Sequence, residues 1–182
     1  MQDAPPSERE LTEAIRQAAC LALRDLFTSR FERFYYIALI TTGEALPPFL
    51  SAWSREALAT EVEKAGLADE TFLKWSYADS PYLCFGDRHF AEVNRLFALR
   101  PGIDTLDEDG WQKEYTLRLD AMEQAIRLLD DEGAFGTGDE RSNLVINVEV
   151  MPPDRTNTER AYRLNPEGSP ALIEWLEEAG EE

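Results

Sequence analysis

Apolar residues recur at intervals of three and four near the start of the chain, in a pattern typical of an amphipathic helix. Leu11 and Ile15 begin this stripe, which continues to about residue 29. Ser7 and Glu10 precede it with the spacing of a capping box, in which two side chains satisfy free backbone amides at a helix start. The pattern therefore predicts a first helix that begins after Ser7.

Two further segments have the β-branched and aromatic composition of strands. Residues 34–42 form a continuous apolar run, which predicts a central strand covered on both faces. In residues 143–150, Asn147 and Glu149 alternate with apolar side chains, so this second strand is expected to have one polar face. Residues 49–53 follow two prolines and fit either a short edge strand or a loop.

Helical spacing and capping residues predict several more helices. They are a helix capped by Ser54 and ended by Gly66, one over residues 90–97, a long one from Asp107 or Asp109 to about residue 129, a short one from Thr156 or Asn157, and a last one opened by Ser169 and Pro170. Residues 72–77 fit either a strand or an irregular aromatic loop. Acidic residues 130–132 end the long helix, where they oppose its dipole unless another group compensates them.

The order of these elements lacks strict βαβ alternation and predicts the α+β class. The length of 182 residues suits one domain. We expect a single domain over residues 1–182, with a small, mostly antiparallel sheet and several packed helices. Its ends, residues 1–6 and 179–182, are expected to be frayed.

The composition is that of a folded and strongly acidic protein. The chain has 43% hydrophobic and 10% aromatic residues, and its net charge is −18. Residues 101–140 alone carry 12 acidic and 3 basic side chains. Nucleic acids and anionic membrane surfaces are bound by clustered cations. We therefore expect neither as a partner, and the charge instead suits a basic protein.

Several negative features predict a cytoplasmic location. No apolar run reaches the roughly 18 residues that a membrane-spanning helix needs. The first six residues lack the basic and apolar regions of a signal peptide. Cys20 and Cys84 lie far apart in sequence, which favours two reduced thiols over a disulfide.

The sequence contains no motif of a known catalytic site. His89 is the single histidine and the two cysteines are distant, so the Cys/His clusters that bind zinc are absent. A Cys84–His89 dyad is favoured less than a buried thiol beside an unrelated histidine. No G-x-S-x-G nucleophile motif occurs. We therefore predict no catalytic residue, no metal and no cofactor.

Two sets of residues remain as candidate sites, besides the interpretation that the charge only keeps the protein soluble. The first set would bind a partner on a non-enzymatic, acidic protein, with aromatic anchors of the kind found in interface hot spots. Its members are Asp107, Asp109, Asp130, Asp131, Trp75 and Tyr77. The second would line a pocket beside the two strands of a small-molecule-binding or hydrolase-like domain. Its members are Tyr36, His89, Arg141 and Glu149.

Three segments give the chain a resemblance to a known family. They are FYYIAL at residues 34–39, LKWSYADSPY at residues 73–82 and RLNP at residues 163–166. Together they resemble a bacterial family of uncharacterised proteins, a domain of unknown function of about this length. The resemblance implies a single-domain, cytosolic bacterial protein, closer to an accessory or toxin-immunity protein than to an enzyme. It assigns no catalytic residue.

Overall fold

The computed structural model describes residues 4–181, which form seven α-helices and one three-stranded sheet. The helices are α1 (Glu8–Ser29), α2 (Arg55–Ala65), α3 (Ala91–Ala98), α4 (Glu108–Asp131), α5 (Asp139–Ser142), α6 (Arg155–Leu164) and α7 (Pro170–Glu178). The strands are β1 (Phe34–Thr42), β2 (Phe49–Ser54) and β3 (Val145–Met151). The predicted α+β class is confirmed. Fraying is predicted for residues 1–6 and 179–182, and of these residues 1–3 and 182 lie outside the described residues.

The sheet has the order β2-β1-β3, with β1 in the centre as predicted. β1 pairs with β2 antiparallel and with β3 parallel, so the sheet is mixed. The short connection from β1 to β2 lets the two strands pair antiparallel, as in a hairpin. Helices α2–α5 precede β3 in the chain, so the connection that leads to β3 is long. Such a long crossover permits parallel pairing, which the strand sequences do not reveal.

The polar face of β3 is buried in the structure and does not face solvent. Asn147 is 0% exposed and Glu149 is 6% exposed. Helix α6 packs against β3, and the Asn147 side-chain amide donates to the carbonyl of Asn157 on that helix at 3.2 Å. The alternation of polar and apolar residues in β3 therefore reflects a buried face with internal polar contacts, and not a face exposed to solvent.

Most predicted helix starts are confirmed by their caps. The Ser7 amide donates to Glu10 Oε2 at 2.8 Å, and the Glu10 amide donates to Ser7 Oγ at 3.3 Å, which completes the capping box. Ser54 caps α2, and Asp107, not Asp109, caps α4. Helix α6 starts at Arg155 behind an Asp154 cap, slightly earlier than expected.

The acidic end of α4 is compensated by two arginines. Arg141 Nε lies 2.7 Å from Asp130 Oδ1, and Arg16 Nη1 lies 3.0 Å from Glu132 Oε2. Arg16 belongs to α1, which packs along α4, and Arg141 belongs to α5. The unfavourable charges at this helix end are thereby used to attach two neighbouring elements.

The outer edge of β3 is covered by side chains instead of another strand. Asn165 accepts from the Ile146 amide at 2.9 Å and donates to the Ile146 carbonyl at 2.7 Å. Asn157 makes the same pair of bonds with Val150, at 2.8 and 3.0 Å. Between them, Arg160 Nε donates to the Val148 carbonyl at 2.7 Å. The polar groups of an edge strand are thus satisfied within the molecule and closed to another chain.

Candidate functional site

A groove of about 740 Å³ opens at the amino-terminal end of β1 and β3. It lies where the α1–β1 connection, the α4–β3 connection and the start of α7 meet. Its walls include Phe27 from α1, Phe34 and Tyr35 from β1, and Phe135 from the connection that precedes α5. The rings of Phe27 and Phe34 meet edge to face, with centroids 5.5 Å apart. Four aromatic side chains therefore form part of the walls, and charged, polar and smaller apolar residues form the rest.

The two arginines that line the groove are already paired. Arg33 Nε lies 2.8 Å from Glu56 Oε1, and Arg55 Nη2 lies 2.9 Å from Glu174 Oε2. The Arg55 guanidinium also lies over the Tyr35 ring, 4.3 Å from its centroid. Their positive charges are therefore compensated by carboxylates.

Glu32 is a half-buried carboxylate of the groove that is held by two hydroxyl groups. Ser54 Oγ and the Tyr82 hydroxyl both donate to Glu32 Oε2. Burial, and then the bond to Glu32, raise the pKa of Tyr82 to about 12, so this donor stays protonated at neutral pH. Within residues 4–181, Oε1 of Glu32 accepts no hydrogen bond. One oxygen is fixed in place and the other is available.

Glu140 on α5 is a second carboxylate that lines the groove, and it is exposed. It lies against Gly136, whose φ is +85°. A Cβ at Gly136 would come within 3.0 Å of Glu140 Cβ and 3.1 Å of its Oε2, so glycine gives this carboxylate room. Neither Glu32 nor Glu140 has an ion-pair partner among the described Lys, Arg and His side chains.

The family model described as "Domain of unknown function (DUF4303)" matches residues 11–166. This match runs from the first turn of α1 to the turn that follows α6, and it includes most of the groove walls. The chain belongs to the DUF4303 family. No curated protein and no solved structure matches the chain.

The four acidic partner-binding candidates of this DUF4303 chain lie at opposite ends of α4. Asp107 caps the helix and Asp109 is exposed in its first turn. Asp130 binds Arg141 at the other end. Asp131 is exposed beside it. At 1.5 Å per residue the two pairs are about 33 Å apart along the axis, so they do not form one patch.

The aromatic candidates Trp75 and Tyr77 are half-buried in a loop and make internal contacts. The Trp75 ring packs edge to face on Tyr35, with centroids 5.2 Å apart, and its indole donates to Glu178 Oε2 at 2.7 Å. The Tyr77 ring lies 6.1 Å from that of Phe49. The loop interpretation of residues 72–77 is confirmed, and these rings fasten the loop to β1, β2 and α7.

The four pocket candidates of the DUF4303 chain are divided between three places, and none lines the groove. Tyr36 and Glu149 lie close enough for the charge of Glu149 to raise the pKa of Tyr36, after the larger effect of burial. His89 Nε2 lies 2.8 Å from Asp25 Oδ2. Arg141 is buried against Asp130 and backbone carbonyls. Of the four residues predicted to share one pocket, only Tyr36 and Glu149 lie close to each other.

Residues 4–181 provide neither a metal cluster nor a membrane span. In this part of the chain, no group of three or more His, Cys, Asp or Glu side chains is arranged to hold a metal ion. None of the described helices is both long and apolar enough to cross a membrane. Cys84 is exposed, so the expectation of a buried thiol at this position is wrong. Partial desolvation of its thiol and the nearby Asp87 raise its pKa, which disfavours a reactive thiolate.

Sequence reasoning missed Glu32 and Glu140. The chain contains 36 acidic residues, so neither glutamate stands out by type. They differ from the other unpaired acids in that they line the groove, and this depends on how distant segments of the chain come together in the fold. The glycines at 133, 136 and 138 are the single sequence signal of a tight connection beside the site.

The buried Glu149 leads to a prediction about stability and pH. Burial raises its pKa from 4.5 to about 7, so the folded state keeps a proton that the unfolded state releases between these values. Stability should therefore fall as pH rises through this window, by about 3 kcal/mol in total. Glu149→Gln removes the titration, and we expect it to be the more stable protein by about 3 kcal/mol at pH 8, with a much smaller difference at pH 5.

Urea denaturation of both proteins at several pH values measures this difference. Glu177→Gln is the matched control, since Glu177 is exposed on α7 and its replacement should change stability by no more than about 0.5 kcal/mol. A Glu149→Gln effect of the same size at pH 5 and pH 8 would show that Glu149 does not titrate in this window.

Proposed function

We propose that the chain is a non-enzymatic binding protein that captures a basic protein through the groove. The observation that carries this proposal is that two carboxylates without cation partners, Glu32 and Glu140, line a cavity that also contains four aromatic side chains. An unpaired carboxylate in a partly desolvated site attracts a cation more strongly than one in open solvent. Aromatic walls add apolar contact area and cation–π attraction. The groove is therefore complementary to a positively charged side chain.

The charge of the whole molecule supports the same kind of partner. Most of its Lys and Arg side chains are already paired with carboxylates. The net charge of −18 therefore comes from acids that remain unpaired, such as Asp109 and Asp131 on α4. Such a field accelerates encounter with a basic protein and repels nucleic acid.

An immunity-type protein that neutralises a basic toxin would combine these properties, and this is the finer form of the proposal. It needs a stable, acidic binding surface and no catalytic group of its own. Both cysteines are free thiols, and we place the protein in the cytoplasm, where thiols stay reduced. A neighbouring gene that encodes a basic toxin would support this form directly.

A small-molecule ligand is the second candidate, because the volume of the groove lies within the usual range of about 300–1,000 Å³ for ligand pockets. The same two carboxylates would require that ligand to be cationic. A hydrolase-like activity has less support, since Tyr36, His89, Arg141 and Glu149 do not line this cavity.

The proposal predicts a salt-sensitive complex with a basic protein. Immobilised wild-type protein, exposed to an extract of its source cells at low salt, should retain a protein with a pI above 8 that salt releases. The purified partner should then bind with a dissociation constant that rises steeply between about 0.05 and 0.5 M salt, because salt screens exposed charges. Retention of only neutral or acidic proteins, or an affinity that salt does not change, would contradict the proposal.

A further inference from the structure

We propose that the groove receives one arginine side chain of the partner, whose guanidinium binds the free Oε1 of Glu32. This inference rests on the proposed function and names the chemical group that the site recognises. Glu140 supplies a second carboxylate on the same groove. An arginine suits the site better than a lysine, because its planar guanidinium both donates several hydrogen bonds and stacks on aromatic rings.

The Glu32 carboxylate is arranged for such a ligand before the ligand arrives. Its two hydrogen-bond donors, Ser54 and Tyr82, are neutral and both contact Oε2. They orient the group without cancelling its charge, in contrast to an arginine or lysine partner. A charged acceptor that is fixed in place forms a stronger hydrogen bond with an incoming cation and loses less entropy on binding.

Within residues 4–181, the cationic side chains nearest to this position do not fill it. Arg33 and Arg55 are paired with Glu56 and Glu174. Arg30 lies over the Tyr82 ring at 5.9 Å from its centroid and makes no ion pair with Glu32. Arg55 already covers the buried Tyr35 ring, so this ring has no face left for a second guanidinium. A guanidinium from the partner would instead meet the half-buried rings of Phe27 and Phe34 and the free carboxylate oxygen of Glu32.

An exposed phenylalanine next to this carboxylate supplies an apolar contact. Phe31 directly precedes Glu32 and is 97% exposed. A phenylalanine so fully exposed buries almost none of its apolar area within the described protein, and aromatic rings at such places are common interface anchors. We assign Phe31 to contact with the partner residue beside the arginine.

N-acetyl-arginine amide is the probe that tests the assignment, with N-acetyl-citrulline amide as its neutral analogue of nearly the same shape. In titrations of ¹⁵N-labelled protein followed by NMR, the arginine probe should shift the backbone amide signals of Glu32, Gly136 and Glu140 in a saturable manner. The citrulline probe should bind at least about tenfold more weakly, since it lacks the charge. Glu32→Gln should weaken the arginine probe about tenfold or more.

Glu108→Gln is the matched control variant, because it removes the same charge at the far end of α4. It should leave the affinity for the arginine probe within about twofold, since exposed charges at that distance are screened. Unchanged spectra outside the groove show that each variant is folded. In addition, Tyr82→Phe keeps the groove but removes one donor to Glu32, and should weaken the probe by a smaller factor than Glu32→Gln.

Equal binding of the arginine and citrulline probes, or shifts that map away from the groove, would overturn the inference. So would an arginine affinity that Glu32→Gln leaves unchanged. These results do not decide the proposed function, which fails if the extract yields only neutral or acidic proteins or if binding of the purified partner is insensitive to salt. The two claims are thus tested separately.

Discussion

Replacing Glu114 with alanine is expected to lower the free energy of unfolding by about 3–5 kcal/mol, because it leaves two arginines without their shared carboxylate. Glu114 and Arg118 are 5% and 4% exposed. Glu114 Oε1 accepts from Arg118 Nε at 2.7 Å and from Arg100 Nε at 2.9 Å. Burial opposes ionisation of Glu114, but the bonds from both arginines outweigh it and lower its pKa.

The Glu114 cluster also joins distant parts of the chain. Arg118 donates to the carbonyl of Pro101 at 2.9 Å, and Arg100 donates to the carbonyl of Pro6. Urea denaturation followed by tryptophan fluorescence measures the expected loss. Asp120→Ala, at an exposed position of the same helix, should change stability by no more than about 0.5 kcal/mol. A loss below about 1 kcal/mol for Glu114→Ala would contradict this account of the cluster.

Asn165→Ala is expected to lower the free energy of unfolding by about 3–4 kcal/mol, because it removes the cover from one edge of the sheet. The Asn165 side chain bonds to both backbone groups of Ile146 and donates to the carbonyl of Ala161 at 2.9 Å. It also accepts from Arg141 at 3.3 Å. Each buried polar group left without a partner costs about 1–3 kcal/mol.

Amide hydrogen exchange distinguishes this local effect from a general loss of stability. The Ile146 amide should lose protection in Asn165→Ala more than the amides of central strand β1 do. Asn94→Ala makes the same chemical change at an exposed position on α3, and should leave both stability and exchange nearly unchanged. Unaltered protection of Ile146 in Asn165→Ala would show that Asn165 does not cover this edge.

Local signals in the sequence predicted the elements that depend on local physics. The capping box at Ser7, the cap at Ser54 and the left-handed Gly66 that ends α2 each satisfy backbone groups a few residues away. The central position of β1 follows from its unbroken apolar run, because both of its faces are covered. Such features need no knowledge of distant contacts.

Long-range contacts explain what the sequence did not reveal about the fold. The alternation at Asn147 and Glu149 is the same whether the polar side faces water or the covering helix α6. The parallel pairing of β3 depends on a crossover through four helices. Similarly, the RLNP segment carries a resemblance to the family, but the role of Asn165 appears only once α6 lies beside β3.

The candidate site was hidden for a related reason. Asp107, Asp109, Asp130 and Asp131 were chosen from the densest acidic region, yet α4 separates them into two pairs and uses Asp107 and Asp130 for structural contacts. Local charge density therefore predicts a basic partner but does not locate the groove. The groove forms where the α1–β1 and α4–β3 connections meet the start of α7, and charge density along the sequence does not show this.

The central claim is that the groove, and not acidic charge in general, holds the basic partner. Two double variants test this claim most directly. One combines Glu32→Gln with Glu140→Gln in the groove, and the other combines Asp109→Asn with Asp131→Asn on α4. They are matched because each removes two negative charges. The measurement is the dissociation constant of the purified partner at fixed salt. We predict that the groove variant binds at least about tenfold more weakly and the α4 variant within about threefold of wild type. Equal losses in both variants, or a larger loss in the α4 variant, would contradict the claim.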